Sequence, residues 1–362
     1  MRVECRTRAR ILFALVPFVM AAAGEPAVIP ESPLSLGWCL ERARQANPEL
    51  AVDAAEADAA RERVRPAGSL EDPQLSYEAS NVPIDDLDFD STPLSGHQFG
   101  LWQKIPFPGL LSRRERAARA EVEAADSGLE DRSRRVAADV ERAWTELGFA
   151  QRAFEITDQN LELLRQLSQI AEARYRLGRG LQQDVLRAQV AVTSLLREQL
   201  DRRAAVRTAE ARLAALLDLR PAVGFARTGA LVESAPLPAL DPLLELLDDT
   251  SPRLHALAAQ VERAEHRRQA AEIEGYPDFE LGLGYRARKR VAGDAVEGDD
   301  FVSVGVRVRL PINPAKWRAR IAEQSALVRR AEAAYRAERS RLRAALRSAF
   351  ADLERADREV RL

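Results

Sequence analysis

Apolar and polar residues alternate strictly near residue 305 of the chain. Val302, Val304, Val306 and Val308 fall on one side of this pattern, and serine, glycine and arginine occupy the positions between them. Side chains of a strand point alternately to opposite faces, so the pattern predicts a β-strand with one apolar face. A preceding segment alternates in the same way, with its apolar residues at Phe279, Leu281, Leu283 and Tyr285.

A much longer segment has the apolar spacing of a helix. From about Leu111 to Tyr175 the sequence contains no proline, and apolar residues recur after four and then three positions. Roughly 65 helical residues, each rising about 1.5 Å, would form a rod of about 100 Å. The seven-residue repeat predicts that this rod supercoils with a partner helix. Its predicted core positions are Val136, Val140, Ala143, Leu147, Ala150, Phe154, Leu161, Leu164, Ala171 and Tyr175.

The rod is predicted to reverse direction at a glycine-containing turn. Gly178 and Gly180 follow its last helical residues, and glycine permits the backbone angles that a sharp reversal needs. A return helix is predicted from about Gln183 to Leu219, before Pro221 breaks the pattern. The two helices together predict a coiled-coil hairpin.

The chain contains an internal repeat. Pro48 and Pro73 bracket a predicted helical segment, and Pro252 and Pro277 bracket another at a constant offset of 204 residues (252 − 48 and 277 − 73). Two alternating segments and a long helical pattern follow each of these segments. The repeated unit therefore reads helix, strand, strand, long helix.

The two repeats are predicted to be unequal in length. Residues 24–235 hold the first repeat with its full hairpin, whereas residues 236–362 hold a helix, two strands and part of a long helix. At an offset of 205, the counterpart of Gly178 would lie near position 383 (178 + 205), beyond Leu362. We therefore expect a C-terminally truncated chain that lacks the second hairpin tip and its return helix.

The first residues have the pattern of a secretory signal peptide. Four arginines precede an apolar run at 11–20, and three alanines at 21–23 suit signal peptidase, so we predict that residues 1–23 are removed. About ten apolar residues are too few to span a bilayer, which requires ~20. No later apolar stretch is long enough either. If the chain enters a membrane, we expect it to do so as a closed β-barrel.

The alternating segments are long enough to cross a membrane, although a soluble sheet with one buried face would alternate as well. A tilted strand crosses a bilayer with ~9–11 residues. The acidic loops at 83–90 and 293–300 favour the membrane interpretation, in which Val302, Val304, Val306 and Val308 face lipid. Four strands cannot close a barrel that needs about eight, so other subunits must complete it. Candidate interfacial aromatic residues, which could equally be core residues, are Trp102 and Tyr285.

Composition and charge argue against several function classes. The 54 basic and 56 acidic residues give a net charge of −2, which provides no reason to expect a nucleic-acid partner. His97, His255 and His266 are scattered, and no HExxH, CxxC or P-loop motif is present. Cys39 alone remains after signal removal, so no intramolecular disulfide is expected. We predict a protein that is not an enzyme, with no catalytic, cofactor or metal site.

These features together resemble the outer-membrane efflux protein family, the TolC-like channels. The likeness covers nearly all of the mature chain. Its parts are a signal peptide, a doubled helix–strand–strand–helix unit and a long hairpin. Two local motifs add to it. The segment 103–109, QKIPFPG, resembles the strand-to-helix corner of the heavy-metal branch. The segment 173–186, ARYRLGRGLQQDVL, resembles the family's hairpin tip.

The resemblance implies a mainly α fold with a membrane β-barrel part. In the family, three subunits each give four strands to one barrel, and their coiled-coil helices form a tube across the periplasm. This trimeric α/β-barrel is the outer-membrane channel of a tripartite efflux system in Gram-negative bacteria. It acts as a passive export duct from periplasm to exterior, with no cofactor. The corner motif favours heavy-metal cations as the substrate, although specificity usually resides in the pump.

The resemblance also implies the partners of the chain. They are two further copies of itself in a homotrimer, a periplasmic adaptor protein, an inner-membrane pump of the RND type, and outer-membrane lipid. Many family members have an apolar residue in place of Arg179, which leaves the detailed adaptor contact open. The residues that would form this contact at the hairpin tip are Leu177, Gly178, Arg179 and Gly180.

Two alternatives to a channel subunit stay open from the sequence. A periplasmic adaptor would also combine a signal peptide with a coiled-coil hairpin, but it should lack two strand pairs at a fixed offset. A coiled-coil scaffold without a pore would need no membrane at all. The sequence does not identify the substrate, the cognate pump and adaptor, or the gating residues that the family places in the second hairpin.

Overall fold

The computed structural model describes residues 33–85, 92, 94–220, 224–230, 238–291, 295 and 298–361. The predicted signal peptide, residues 1–23, lies outside this part of the chain. Most of the predicted acidic loop at 83–90 and half of the loop at 293–300 also lie outside it.

Helices and strands follow each other in the order that the repeat predicts. Each half runs through two short helices, two strands and one long helix, and the first half adds a return helix. The elements are α1 (Leu36–Ala46), α2 (Pro48–Gly68), β1 (Gln74–Ser80), β2 (Gly96–Ile105), α3 (Leu110–Arg176), α4 (Gln182–Leu216), α5 (Leu240–Thr250), α6 (Pro252–Ile273), β3 (Asp278–Ala287), β4 (Phe301–Arg309) and α7 (Pro314–Arg361).

The same local chemistry separates the first two helices in both halves. The Asn47 side chain accepts hydrogen bonds from the backbone N–H groups of Glu49 at 2.9 Å and Leu50 at 3.3 Å. Ser251 caps α6 by accepting the Leu254 N–H at 3.4 Å. Proline follows each cap, where its fixed φ suits the first helical turn and its missing N–H costs nothing. The predicted helix starts at these prolines are therefore confirmed.

The predicted ends of these helices are wrong by several residues. α2 ends at Gly68 and α6 ends at Ile273, before Pro73 and Pro277. The Ser69 N–H bonds to the Pro66 carbonyl and closes the last turn of α2, so proline is not what stops the helix.

The four strands form one antiparallel sheet in the order β1-β2-β3-β4. The two halves of the chain meet at its centre, where β2 pairs with β3 and Leu101 lies opposite Leu283. Because β2 and β3 are nearly two hundred residues apart, the sheet ties both repeats into one unit.

The hydrophobic core lies along α3, where α1, α4 and the connector at 224–230 pack against it. The indole N–H of Trp144 donates a 3.0 Å hydrogen bond to the Leu34 carbonyl. Gly148 lets the connector approach, because a β-carbon there would lie 2.6 Å from Thr228 Oγ1. The largest fully buried side chains are Leu34, Leu147, Leu161, Leu213, Leu217, Leu254, Val140 and Cys39.

The predicted coiled-coil hairpin is confirmed, and its burial declines toward the tip. α3 has 67 residues and α4 has 35. The predicted core positions from Val136 to Ala150 are buried, whereas Phe154, Leu164 and Ala171 are only half-buried. Tyr175 was predicted to be a core residue but is exposed, since α4 alone does not cover the end of the rod.

The last helix packs on α6 and α5 and has no buried residue along its 48 positions. Three ion pairs join it to α5 and α6: Arg339 and Arg343 to Asp248, and Arg253 to Glu338. Across the described ranges, none of the helices is long and apolar enough to cross a membrane.

Candidate functional site: the two-faced sheet and the hairpin tip

One face of the sheet is apolar and exposed. Residues opposite each other on paired strands project to the same face, and one such row contains Leu75, Leu101, Leu283 and Val304. The exposed fractions on β4 are 70% for Val302, 80% for Val304, 63% for Val306 and 42% for Val308. The described helices of the chain therefore do not bury this face of the sheet. An apolar face of this size is an interaction surface.

Aromatic residues form the next row of the apolar face. Tyr77, Phe99 and Tyr285 are aligned across β1, β2 and β3. The rings of Tyr77 and Phe99 have their centroids 5.3 Å apart, and the Tyr285 hydroxyl donates to Asp300. Tyr285 thus combines an apolar ring with a polar tip, as residues at a membrane–water interface do.

The opposite face carries small and charged residues. Gly282, Gly284 and Gly305 lie on it, together with ion pairs between Arg307 and Glu280 and between Arg309 and Asp278. Trp102 was a candidate interfacial residue, but its register with Gly282 places it on this polar face. It follows Leu101 directly, and neighbouring residues of a strand point to opposite sides.

A cluster of ion pairs joins the helices at the end of the polar face where the strands meet α3 and α7. The Glu274 carboxylate accepts hydrogen bonds from Arg114 of α3 and Arg320 of α7, each at 2.9 Å. Nearby, Lys104 pairs with Glu71 at 2.7 Å. No motif in the sequence predicted this cluster. Its one signal was the spacing of Arg114 and Arg320, which is within one residue of the repeat offset of 205 (320 − 114 = 206).

Glu274 is ionised more readily than an ordinary glutamate. Burial raises its pKa, but the hydrogen bonds and charges of Arg114 and Arg320 outweigh burial, and the net pKa lies below the usual value. A depressed carboxyl pKa stabilises the fold above the unfolded pKa of about 4.3, and this stability is lost as pH falls through the folded pKa.

Replacing Glu274 with glutamine removes the negative charge that both arginines bind, and it is expected to lower the free energy of unfolding by about 1 kcal/mol at neutral pH. The loss stays small because both arginines are exposed enough for solvent to screen these ion pairs. The difference from the wild type should shrink as pH falls below about 4. Urea unfolding at several pH values measures it. Glu130→Gln, which affects only an exposed pair with Arg134 on one helix, is the control and should change stability by less than about 0.5 kcal/mol. A pH-independent loss at Glu274 would contradict this account.

The predicted tip residues lie together at the end of the hairpin. Gly178 has φ +67°, and its N–H bonds to the Tyr175 carbonyl at 2.9 Å. The Arg179 N–H bonds to the Arg174 carbonyl at 2.9 Å, which completes a Schellman C-cap for α3. Gly180 passes close to this turn, where a β-carbon would lie 3.3 Å from Arg174 Cβ. The side chain of Leu177 is 72% exposed beside it.

Alanine is expected to have opposite effects at two glycines of the hairpin. Gly178→Ala should destabilise by about 1 kcal/mol, because its φ lies in the left-handed region that disfavours a β-carbon. Gly128→Ala should stabilise by about 0.5–1 kcal/mol, because Gly128 lies inside α3 with open space around it. Chemical unfolding of both variants measures the difference, and equal effects would contradict the tip geometry.

The histidines and the remaining cysteine have structural partners. His97 Nδ1 lies 2.8 Å from the Tyr77 hydroxyl, His255 bonds to the Asp249 carbonyl, and His266 lies near Glu262. Cys39 is buried in the core, and burial raises the pKa of its thiol to about 11. In the residues that the structure covers, no group of three or more histidine, cysteine, aspartate or glutamate side chains is arranged to hold a metal ion.

The sequence matches the family model described as outer membrane efflux protein over residues 39–218 and 243–362. No curated protein sequence matches the chain. The sequence match thus covers both repeats, including the four strands and the hairpin.

The fold is similar to those of several solved membrane proteins. The outer-membrane channel OprN is 22% identical, with 90% of this chain and 75% of that chain covered at a TM-score of 0.72. The outer membrane protein VceC from Vibrio cholerae is 19% identical, with 84% and 75% covered at 0.67. A membrane protein from Pseudomonas aeruginosa is 18% identical, with 90% and 78% covered at 0.74.

Proposed function

Because the chain belongs to the outer membrane efflux protein family, we propose that it is the outer-membrane subunit of a tripartite efflux system. It would form a passive duct from the periplasm to the exterior of a Gram-negative cell. The observation that carries this proposal is the exposed apolar face of a four-stranded sheet attached to a long helical hairpin. A family match that includes both strand pairs disfavours the periplasmic adaptor and the poreless scaffold.

The sheet supports a trimeric barrel. Its end strands, β1 and β4, each have one neighbour in the described sheet. Unpaired backbone groups at such edges are costly in hydrocarbon, and a closed membrane barrel needs about eight strands. Three copies that join β4 of one subunit to β1 of the next exceed that minimum. Val302, Val304, Val306 and Val308 would then face lipid, and the polar face would line the lumen.

The hairpin supports the periplasmic part of the duct. At about 1.5 Å per residue, the 67 residues of α3 extend about 100 Å from the sheet. We propose that its tip, Leu177, Gly178, Arg179 and Gly180, contacts a periplasmic adaptor, which links the duct to an inner-membrane pump of the RND type. The exposed Leu177 would supply apolar contact area, and Arg179 would supply a charge.

Transport through the duct would need no chemistry from this chain. A lumen lined by glycine, serine and paired charges lets solutes diffuse, and the pump supplies the energy. The corner motif at 103–109 supports heavy-metal cations as the substrate class.

The proposed repeats, 24–235 and 236–362, meet just before α5 and would each give two strands to the barrel.

The proposal is tested by expressing the chain in a Gram-negative strain that lacks its own efflux channel. We expect the protein in the outer-membrane fraction, extractable only with detergent, and trimeric after cross-linking. Co-expression with a metal-type pump and adaptor should restore resistance to divalent cations, whereas restoration only with a drug-type pump would redirect the substrate to organic compounds. Protein that is monomeric and remains in solution in buffer without detergent would overturn the channel proposal.

A further inference from the structure

A groove between α6 and α7 is lined by three arginines, two glutamines and four apolar residues, and it has a volume of about 350 Å³. The side chains that can donate hydrogen bonds into it are Arg263, Arg267, Arg330, Gln260 and Gln324. None of the described residues that line the groove carries a carboxylate. The glutamates that fall between these positions in the sequence but do not line the groove are Glu262, Glu265 and Glu332.

The matching groove of the first half, between α2 and α3, contains carboxylates. Positions on α2 correspond to positions on α6 at the offset of 204. Positions on α3 correspond to positions on α7 at the offset of 206 (320 − 114) that relates the two arginines bound to Glu274. Arg267 therefore corresponds to Arg63, which pairs with Glu56 at 2.6 Å and with Glu121 at 2.7 Å.

The second half lacks both carboxylates and has two additional arginines. Gln260 and Leu327 replace the two glutamates, and Arg263 and Arg330 replace two alanines. The nine lining positions therefore carry a charge of +3 from three arginines, whereas their counterparts carry −1 from one arginine and two glutamates. Because the first half packs the same pair of helices without this positive charge, the fold does not require it.

The chain's own carboxylates compensate these arginines only in part. Arg263 Nε is buried and lies 3.3 Å from Glu121 without forming a hydrogen bond, and Arg267 lies 3.8 Å from the same carboxylate, which is already bound to Arg63. Within the described ranges, Arg330 forms no ion pair. Burial and the neighbouring charge of Arg267 lower the pKa of Arg263. A buried donor without an acceptor and adjacent like charges both favour the binding of an anion.

We propose that this groove binds an oxyanion of the phosphate class through Arg263, Arg267 and Arg330. A guanidinium presents its N–H donors in a planar fork that matches two oxygens of a phosphate group. Because Arg263 and Arg267 belong to α6 and Arg330 belongs to α7, a bound oxyanion would bridge the two helices. It would thus stabilise the attachment of α7, which has no buried residue of its own.

Isothermal titration calorimetry of the full chain in an uncharged detergent, with inorganic phosphate added at constant ionic strength, measures this binding. We expect saturable binding to the wild type and at least roughly tenfold weaker binding to Arg330→Gln, because a hydrogen bond to a charged group is lost. Gln260→Glu returns a carboxylate of the first half without changing the side-chain shape, and it should weaken binding to a similar extent. Gln183→Glu adds the same charge at the exposed start of α4 and should bind like the wild type.

Thermal unfolding provides a second measurement, since a ligand that binds the folded state raises the unfolding temperature. Phosphate should raise it for the wild type and Gln183→Glu, and much less for Gln260→Glu. Displacement of phosphate by short-chain phosphatidylglycerol would identify a lipid headgroup as the source of the oxyanion, and no displacement would identify a free one.

Three results would overturn the proposed oxyanion site. They are no phosphate binding to the wild type, equal binding to the wild type and Gln260→Glu, and an equal effect of chloride at the same ionic strength. Each of them would leave the channel proposal intact, because the duct does not use this groove.

Discussion

Arginine at position 304 is expected to prevent stable assembly of the protein in the outer membrane. Val304 lies in the middle of β4, opposite Leu283, and is 80% exposed on the apolar face. An arginine that faces lipid at the centre of a membrane barrel costs about 2–4 kcal/mol, and a trimer would carry three of them. Cell fractionation and the yield of cross-linked trimer measure the effect.

The neighbouring residue provides a matched control for this variant. Ser303 lies on the polar face of the same strand, because its register partner is Gly284. Ser303→Arg adds the same side chain one position away and should leave trimer yield close to that of the wild type. If Val304→Arg assembles as well as Ser303→Arg, the valine face does not contact lipid, and the orientation of the proposed barrel is wrong.

Leu147→Ala is expected to lower the free energy of unfolding by about 2–5 kcal/mol, because truncating a buried leucine removes apolar contacts and leaves a cavity. Leu147 is fully buried in the core that α3 forms with α1 and α4. Few other single substitutions in the helices should be as damaging, since many of the buried positions are already alanine. Urea unfolding followed by circular dichroism measures the loss.

Leu163→Ala is the control on the same helix, where the side chain is 58% exposed. A substitution at such a position usually changes stability by less than about 0.5 kcal/mol. A similar loss at both positions would show that another subunit covers Leu163. A negligible loss at Leu147 would contradict the packing described for the core.

The order of elements was predictable because it depends on neighbouring residues. Period-two alternation around Val304 and Leu283 predicted β4 and β3, and the four-three spacing through Leu147 predicted α3. The offset of 204 residues identified the repeat. The short helices α1 and α5 were not predicted as separate elements, because an 11-residue helix gives too few turns for a clear period.

The polar face was harder to predict because its contacts join distant parts of the chain. Trp102 reaches Gly282 and Arg307, about two hundred residues further along the sequence. Glu274 bonds to Arg114 and Arg320, which belong to different repeats. Neither set forms a local motif. Trp102 was a candidate from the sequence, and the spacing of Arg114 and Arg320 is close to the repeat offset, but a local pattern does not specify the distant residues that these side chains contact.

The sequence by itself determined which residues form strands, which form the hairpin and where the chain repeats, since backbone propensity and side-chain period are local properties. Only the tertiary structure decided that β2 pairs with β3 to join the repeats, that the valine face has no cover from the chain's own described helices, and that Trp102 rests on glycine. These features depend on the pairing of strands that are far apart in sequence, and local pattern does not specify such pairing.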